Sequence, residues 1–170
     1  MSQAALQFNE VELEGIMEQF LVQGATLKDA RGLSEREMET IYTMGYTLYS
    51  QCKYQDAERV FKFLCVYNHL ERKYFMGLAA CRQMLKDFQG AVHAYTQAVI
   101  LDVEEPDAHL YAAECLLAQK SEVNAESALF AAIYWAGDRP ECAAVKRRAQ
   151  TLLDLLKSRS QKEVASWRMQ

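Results

Sequence analysis

The chain has 170 residues, 51% of them apolar and 25% charged, with 7 glycines and 2 prolines, which fits one domain of ordinary size and neither a disordered nor a fibrous chain. So little Gly and Pro implies few sharp turns and hence long helices. A net charge of −4 and a pI near 5.5 exclude a general electrostatic grip on nucleic acid or on an anionic membrane surface.

Taken from the N-terminus, the first ten residues lack the basic and then apolar pattern of a secretory signal. Leu6, Val11, Leu13, Ile16, Met17, Phe20 and Leu21 fall at helical spacing, so a helix is predicted here, ended by Gly24. Its apolar stripe must be buried, either against the first repeat unit or against another chain. Ser34 and Glu37 then have capping-box spacing and announce a second helix.

From Met38 onward the chain repeats with a period of 34. Ala57, Ala91 and Ala125 form one column, and Gly45, Ala79 and Ala113 another. Leu64, Ala98 and Ala132 form a third, Phe61, Tyr95 and Leu129 a fourth, and Met44, Leu78 and Ala112 a fifth. Pro106 and Pro140 share the same spacing and suit first-turn helix positions. The units run 38–71, 72–105 and 106–139, preceded by the N-terminal helix and linker 1–37. They are followed by a predicted capping helix 140–157 and a tail 158–170 expected to be disordered. Each unit carries a large residue followed by a small one early on, and an alanine twelve residues after that small residue. Small residues are needed where helix axes approach closely. This resembles the tetratricopeptide repeat, a helix–turn–helix unit, with the family's Trp column reading Ile41, Phe75 and His109. The resemblance implies an all-α fold, a tetratricopeptide-repeat superhelix of three helix–turn–helix repeats between an N-terminal helix and a C-terminal capping helix. Arg147 and Arg148 break the small-residue pattern, as a solvating cap does at the end of a solenoid.

The sequence carries no phosphate-binding glycine loop, no G-x-S-x-G and no H-E-x-x-H. His69, His93 and His109 lack metal-ligand spacing. The five cysteines form an odd set without a C-x-x-C pair and read as reduced thiols, with Cys81 and Cys115, 34 apart, as packing positions. No catalytic residue, metal or cofactor is predicted, and the chain is not read as an enzyme. The longest apolar run, 128–137, covers about half the ~20 residues of a membrane-spanning helix, so no membrane insertion is expected.

By analogy with the repeat family, positions two, five, nine and twelve of each repeat face a concave groove. These are Glu39, Tyr42, Tyr46 and Tyr49, then Lys73, Met76, Ala80 and Gln83, then Asp107, Leu110, Glu114 and Leu117. Ile41, Met44, Gly45 and Leu48 are expected to supply the core of the first helix, freeing the three tyrosines for the groove, with Tyr67 near the same mouth. A partner-binding groove of Tyr42, Tyr46, Tyr49, Tyr67, Lys73, Met76, Ala80, Gln83, Leu110 and Glu114 is therefore predicted. Rigid rings with a hydroxyl suit an extended peptide. The Lys and Asn that a clamp for heat-shock-protein carboxylates needs at positions five and nine are Tyr42 and Tyr46, which excludes that ligand.

Four stretches resemble a narrower family, the class II chaperones of bacterial type III secretion. They are Gly24-Ala-Thr-Leu27 with Gly32-Leu33-Ser34, Phe63-Leu-Cys-Val-Tyr67, Gly77-Leu-Ala-Ala-Cys-Arg-Gln83, and Ala112-Ala-Glu-Cys115. The resemblance covers about residues 10–157. It implies a chaperone of the bacterial cytoplasm whose partners are the hydrophobic translocator proteins, held unassembled before export through an extended segment. It also implies a homodimer through the N-terminal helix, here Leu13, Ile16, Met17, Phe20 and Leu21. The residues themselves leave open a generic repeat adaptor that binds a folded partner.

Overall fold

The computed structural model describes residues 24–167, with side chains through Arg159. The expected N-terminal helix, with its dimerisation residues Leu13, Ile16, Met17, Phe20 and Leu21, lies outside the described residues. A short helix α1 (Leu27–Ala30) precedes three helix pairs, α2 (Glu35–Ser50) with α3 (Tyr54–Tyr67), α4 (Arg72–Met84) with α5 (Phe88–Leu101), and α6 (Pro106–Ala118) with α7 (Glu122–Ala136). A 3₁₀ turn at Pro140–Cys142 leads into α8 (Ala143–Trp167). Each helix packs chiefly on its neighbours in the chain, the pattern of a solenoid.

Local chemistry explains where the helices start and stop. Ser34 caps α2, with Glu37 N–H donating to Ser34 Oγ at 3.3 Å and Ser34 N–H donating to Glu37 Oε2 at 2.8 Å. Pro106 occupies the first turn of α6, where its missing N–H costs nothing. The first helix of every repeat ends in the same way. Cys52, Lys86 and Lys120 take φ of 59°, 63° and 61°, and these three positions are 34 apart. Behind them Lys53, Asp87 and Ser121 donate their N–H to the carbonyls of Leu48, Arg82 and Leu116 at 2.9 Å. This is a left-handed helix stop that usually takes glycine, built here three times without one.

The repeat columns are the core. Ala57, Ala91 and Ala125 are fully buried, as are Leu64, Ala98 and Ala132, and Phe61, Tyr95 and Leu129 are nearly so. Small residues let α2 and α4 close around the Phe61 ring: a Cβ on Gly45 would stand 3.2 Å from its Cζ, and one on Gly77 would overlap the ring. Cys81 and Cys115 occupy equivalent buried positions. Burial pushes the thiols of Cys65, Cys81 and Cys115 up to about 12, so they behave as small hydrophobes. His109, in the column of Ile41 and Phe75, donates from Nε2 to the Val103 carbonyl at 3.0 Å.

Two expectations are corrected. Met44 is not core: it is 51% exposed, whereas its column mates Leu78 and Ala112 are 6% and 8% exposed, because each of those faces a preceding repeat and Met44 has none before it. The C-terminal helix does not stop at Lys157 but runs to Trp167, so 158–167 is helix where disorder was expected. That stretch contains neither glycine nor proline, and helix propagates through it without a stop signal. Residues 168–170 lie outside the described residues. The inner face of α8, at Ala149 and Leu153, joins Leu110, Ala113, Leu129 and Ala132 in a second core cluster.

Candidate functional site

The first helices of the repeats, α2, α4 and α6, place their side chains along one groove made of two adjoining cavities. The first, about 310 Å³, is walled by Tyr42, Tyr46, Tyr49, Lys73 and Met76, and joined by Phe61, Arg72, Gly77, Ala80 and Asp107. The second, about 300 Å³, is bounded by Gln83, Met84, Tyr95, Tyr111, Glu114 and Arg148. Tyr49, Met76 and Ala80 line both, so the two form one continuous trough.

The tyrosines differ in their support. Tyr42 is half-buried, edge-on to Phe61 with centroids 5.8 Å apart and 5.9 Å from the Tyr74 ring. Lys73 Nζ sits 5.0 Å from its centroid, a cation–π contact. Tyr49 is edge-on to Tyr54 at 5.3 Å. Burial raises the phenols of Tyr42 and Tyr49 above their usual value, in Tyr42 against the opposing pull of Lys73, so both remain neutral donors. Tyr46 stands 59% exposed, free to meet an incoming chain.

The groove's charges are compensated. Lys73 Nζ pairs with Glu39 at 2.6 Å, Arg72 with Asp107, and Arg148 Nε with Glu114 Oε1 at 2.6 Å. Glu39–Lys73 and Glu114–Arg148 are 34 apart in sequence, as are Glu105 and Arg139, which pair at 3.0 Å, so these pairs tie each repeat to the next. A charged ligand would have to displace an existing partner at each, which favours apolar side chains and a neutral main chain. Among the described residues no group of three His, Cys, Asp or Glu is placed to hold a metal.

Of the predicted groove residues, Tyr42, Tyr46, Tyr49, Lys73, Met76, Ala80, Gln83 and Glu114 meet in the trough. Leu110 does not. It is 1% exposed and packed in the second core cluster, because α8 folds over the third repeat. Tyr67 lines neither cavity; it stacks on Phe63 at 4.1 Å near the end of α3. The sequence reading missed Phe61 and Tyr95, second-helix residues that reach the groove between the first helices; for Phe61 the signal was Gly77, which leaves room for its ring. It also missed Arg148, although that residue continues the position-nine column of Tyr46, Ala80 and Glu114 into α8.

A stack of helix pairs in which each helix packs on its chain neighbours, with a trough lined by the first helices, defines a tetratricopeptide-repeat protein. The tetratricopeptide repeat family matches residues 38–69 and 84–149. "Low calcium response locus protein H" of Yersinia pseudotuberculosis is 36% identical over 152 residues, covering 89% of this chain and 90% of that protein. The translocator chaperone SycD of Yersinia enterocolitica superposes with a TM-score of 0.73 at 34% identity, over 77% of this chain and 98% of that one. PcrH of Pseudomonas aeruginosa, solved with the chaperone-binding region of PopD, gives 0.74 at 35% identity over 76% and 97%. The chain belongs to the family of type III secretion translocator chaperones.

Proposed function

We propose that this protein is a bacterial cytoplasmic chaperone for the hydrophobic translocators of a type III secretion system, holding an extended translocator segment in the groove until export. The observation that carries this reading is the continuous trough walled by Tyr42, Tyr46, Tyr49 and Met76. Related chains are solved with such ligands: PcrH with the chaperone-binding regions of PopD and of PopB, and SycD with a peptide of the translocator YopD. A translocator that later enters a membrane exposes apolar segments beforehand, and a groove shields one of them reversibly. The relatives are chaperones, and the role requires binding without chemistry. SycD is recorded as a dimer; for this chain the apolar stripe Leu13, Ile16, Met17, Phe20 and Leu21 is the proposed self-association surface. No described helix is long and apolar enough to cross a membrane.

Co-expression with the translocators of the same secretion system tests the reading. The wild-type protein keeps a translocator soluble, and Tyr42→Ala with Tyr49→Ala abolishes the complex while helical content by circular dichroism is unchanged. A double variant that copurifies normally refutes the groove, and a partner that is bound with no gain in its solubility favours an adaptor.

A further inference from the structure

The second cavity brings a neutral amide, Gln83, beside its charged groups, where the polar groups of the first are Lys73, Arg72 and Asp107 together with the tyrosine hydroxyls. Tyr95 is 2% exposed and sits on a second helix, α5, in the packing column of Phe61 and Leu129. Neither of those column mates carries a hydroxyl, so packing alone does not require one. The Tyr95 hydroxyl donates to Gln83 Oε1 at 2.8 Å. Burial pushes the phenol far above its usual range, which keeps that proton in place. The Gln83 amide N–H groups make no hydrogen bond to any described residue, and Gln83 lines the cavity. Glu114 lines the same cavity; its Oε1 is buried against Arg148 Nε at 2.6 Å without an aligned hydrogen bond, which leaves its other carboxylate oxygen to accept from a ligand. The cavity therefore offers the unused donors of Gln83 and a carboxylate acceptor of Glu114 beside the apolar surface of Met76 and Ala80 and the Tyr49 ring. That is the complement of a peptide main chain, which loses its hydration in a groove and must recover hydrogen bonds there.

We propose that Gln83, oriented by Tyr95, clamps the main chain of the bound peptide by donating to one of its carbonyls, with Glu114 accepting from an N–H nearby. The proposal rests on the groove reading above and deepens it. The first cavity selects apolar side chains, and the second grips backbone whatever the side chain. Gln83 is the contact residue and Tyr95 a positioning residue that acts through it.

The test measures binding of a synthetic peptide of the PopD chaperone-binding region by fluorescence anisotropy. Gln83→Ala weakens binding by roughly fivefold, the effect of one neutral hydrogen bond. Tyr95→Phe, which keeps the buried ring, weakens it by roughly threefold, and the double variant is no weaker than Gln83→Ala alone. In a set of peptides with successive amide-to-ester replacements, each of which removes one N–H, at least one position loses about fivefold against the wild type and less than twofold against Glu114→Ala. Both single variants within twofold of wild type, while Tyr42→Ala with Tyr49→Ala loses binding, overturns the clamp and leaves the groove standing. Additive effects of Gln83→Ala and Tyr95→Phe overturn the positioning role. A wild type that does not bind the peptide, or a tyrosine double variant that binds it unchanged, overturns the groove reading and the clamp with it.

Discussion

The two ends of the repeat stack are built from the same columns and treat them oppositely. At the first repeat, position five is Tyr42, half-buried and open to the groove, and the large residue of the large-small pair, Met44, is 51% exposed. At the third repeat, position five is Leu110, 1% exposed, and the large-small pair is Ala112 and Ala113, both buried. Leu110 and Ala113 are covered by α8, which lays Ala149 and Leu153 onto the third repeat and brings Arg148 to the groove's rim, whereas Ala112 is buried in the core shared with the preceding repeats, a neighbour that Met44 lacks. A repeat position thus determines which way a side chain points, and the neighbouring helix determines whether anything is left to meet. The open trough draws most of its lining from the first two repeats for that reason.

Substitutions break or sharpen this contrast. The largest effects fall on the buried members. Leu110→Ala and Leu78→Ala each lower unfolding free energy by about 2–4 kcal/mol in urea titrations. Peptide affinity per folded molecule changes little for Leu110→Ala, whereas a tenfold loss would return Leu110 to the groove. Gly77→Ala comes next, because its new methyl group overlaps the Phe61 ring. It costs about 1–3 kcal/mol and narrows the first cavity. Alkaline titration is a further check on the core. The thiols of Cys65, Cys81 and Cys115 rise from the usual 9.0 to about 12 on folding. Above pH 9 the unfolded chain therefore loses these protons first, and stability falls progressively between pH 9 and 12. Below pH 9 only the exposed Cys52 reacts rapidly with a thiol reagent; fast labelling of a second site contradicts the packing.

Smaller effects come from the turns. Cys52→Gly, Lys86→Gly and Lys120→Gly each relieve a left-handed non-glycine residue and stabilise by about 0.5–1 kcal/mol in thermal melts. Equal gains at all three sites confirm that the turns are one device repeated. The smallest effect belongs to Met44→Ala, below about 0.5 kcal/mol against the 2–4 of its column mate Leu78. A cost for Met44→Ala near that of Leu78→Ala shows that something outside residues 24–167 covers this face.

The fold was legible because a 34-residue period leaves one packing solution to be found three times. The alanine columns and the Phe61, Tyr95 and Leu129 column all occupy the core as the spacing implies. The groove was legible where a first helix faces open space, as at Tyr42, Tyr46, Met76 and Gln83. It was not legible at the ends of the stack, where periodicity says nothing about what lies beyond. Leu110 and Met44 were misjudged there. Tyr67 was assigned to the mouth by its place in the chain, but its ring finds Phe63 instead. Phe61 and Tyr95 escaped notice as groove residues because a packing column shows only one face of a side chain's work. A ring that fills the core also shows its edge or hydroxyl wherever a glycine or alanine opposite leaves a gap.

One measurement bears most directly on the central claim that the concave trough receives the translocator. A photoreactive phenylalanine analogue is placed at Tyr46, 59% exposed in the first cavity, and separately at Tyr134, 74% exposed on α7 and away from both cavities. Tyr134 shares its column with Val66 and Ile100, which are also exposed, so it samples the competing apolar surface of the second helices. Irradiated in complex with a co-expressed translocator, the protein labelled at Tyr46 cross-links to it and the protein labelled at Tyr134 does not. Cross-linking from Tyr134 with none from Tyr46 contradicts the account.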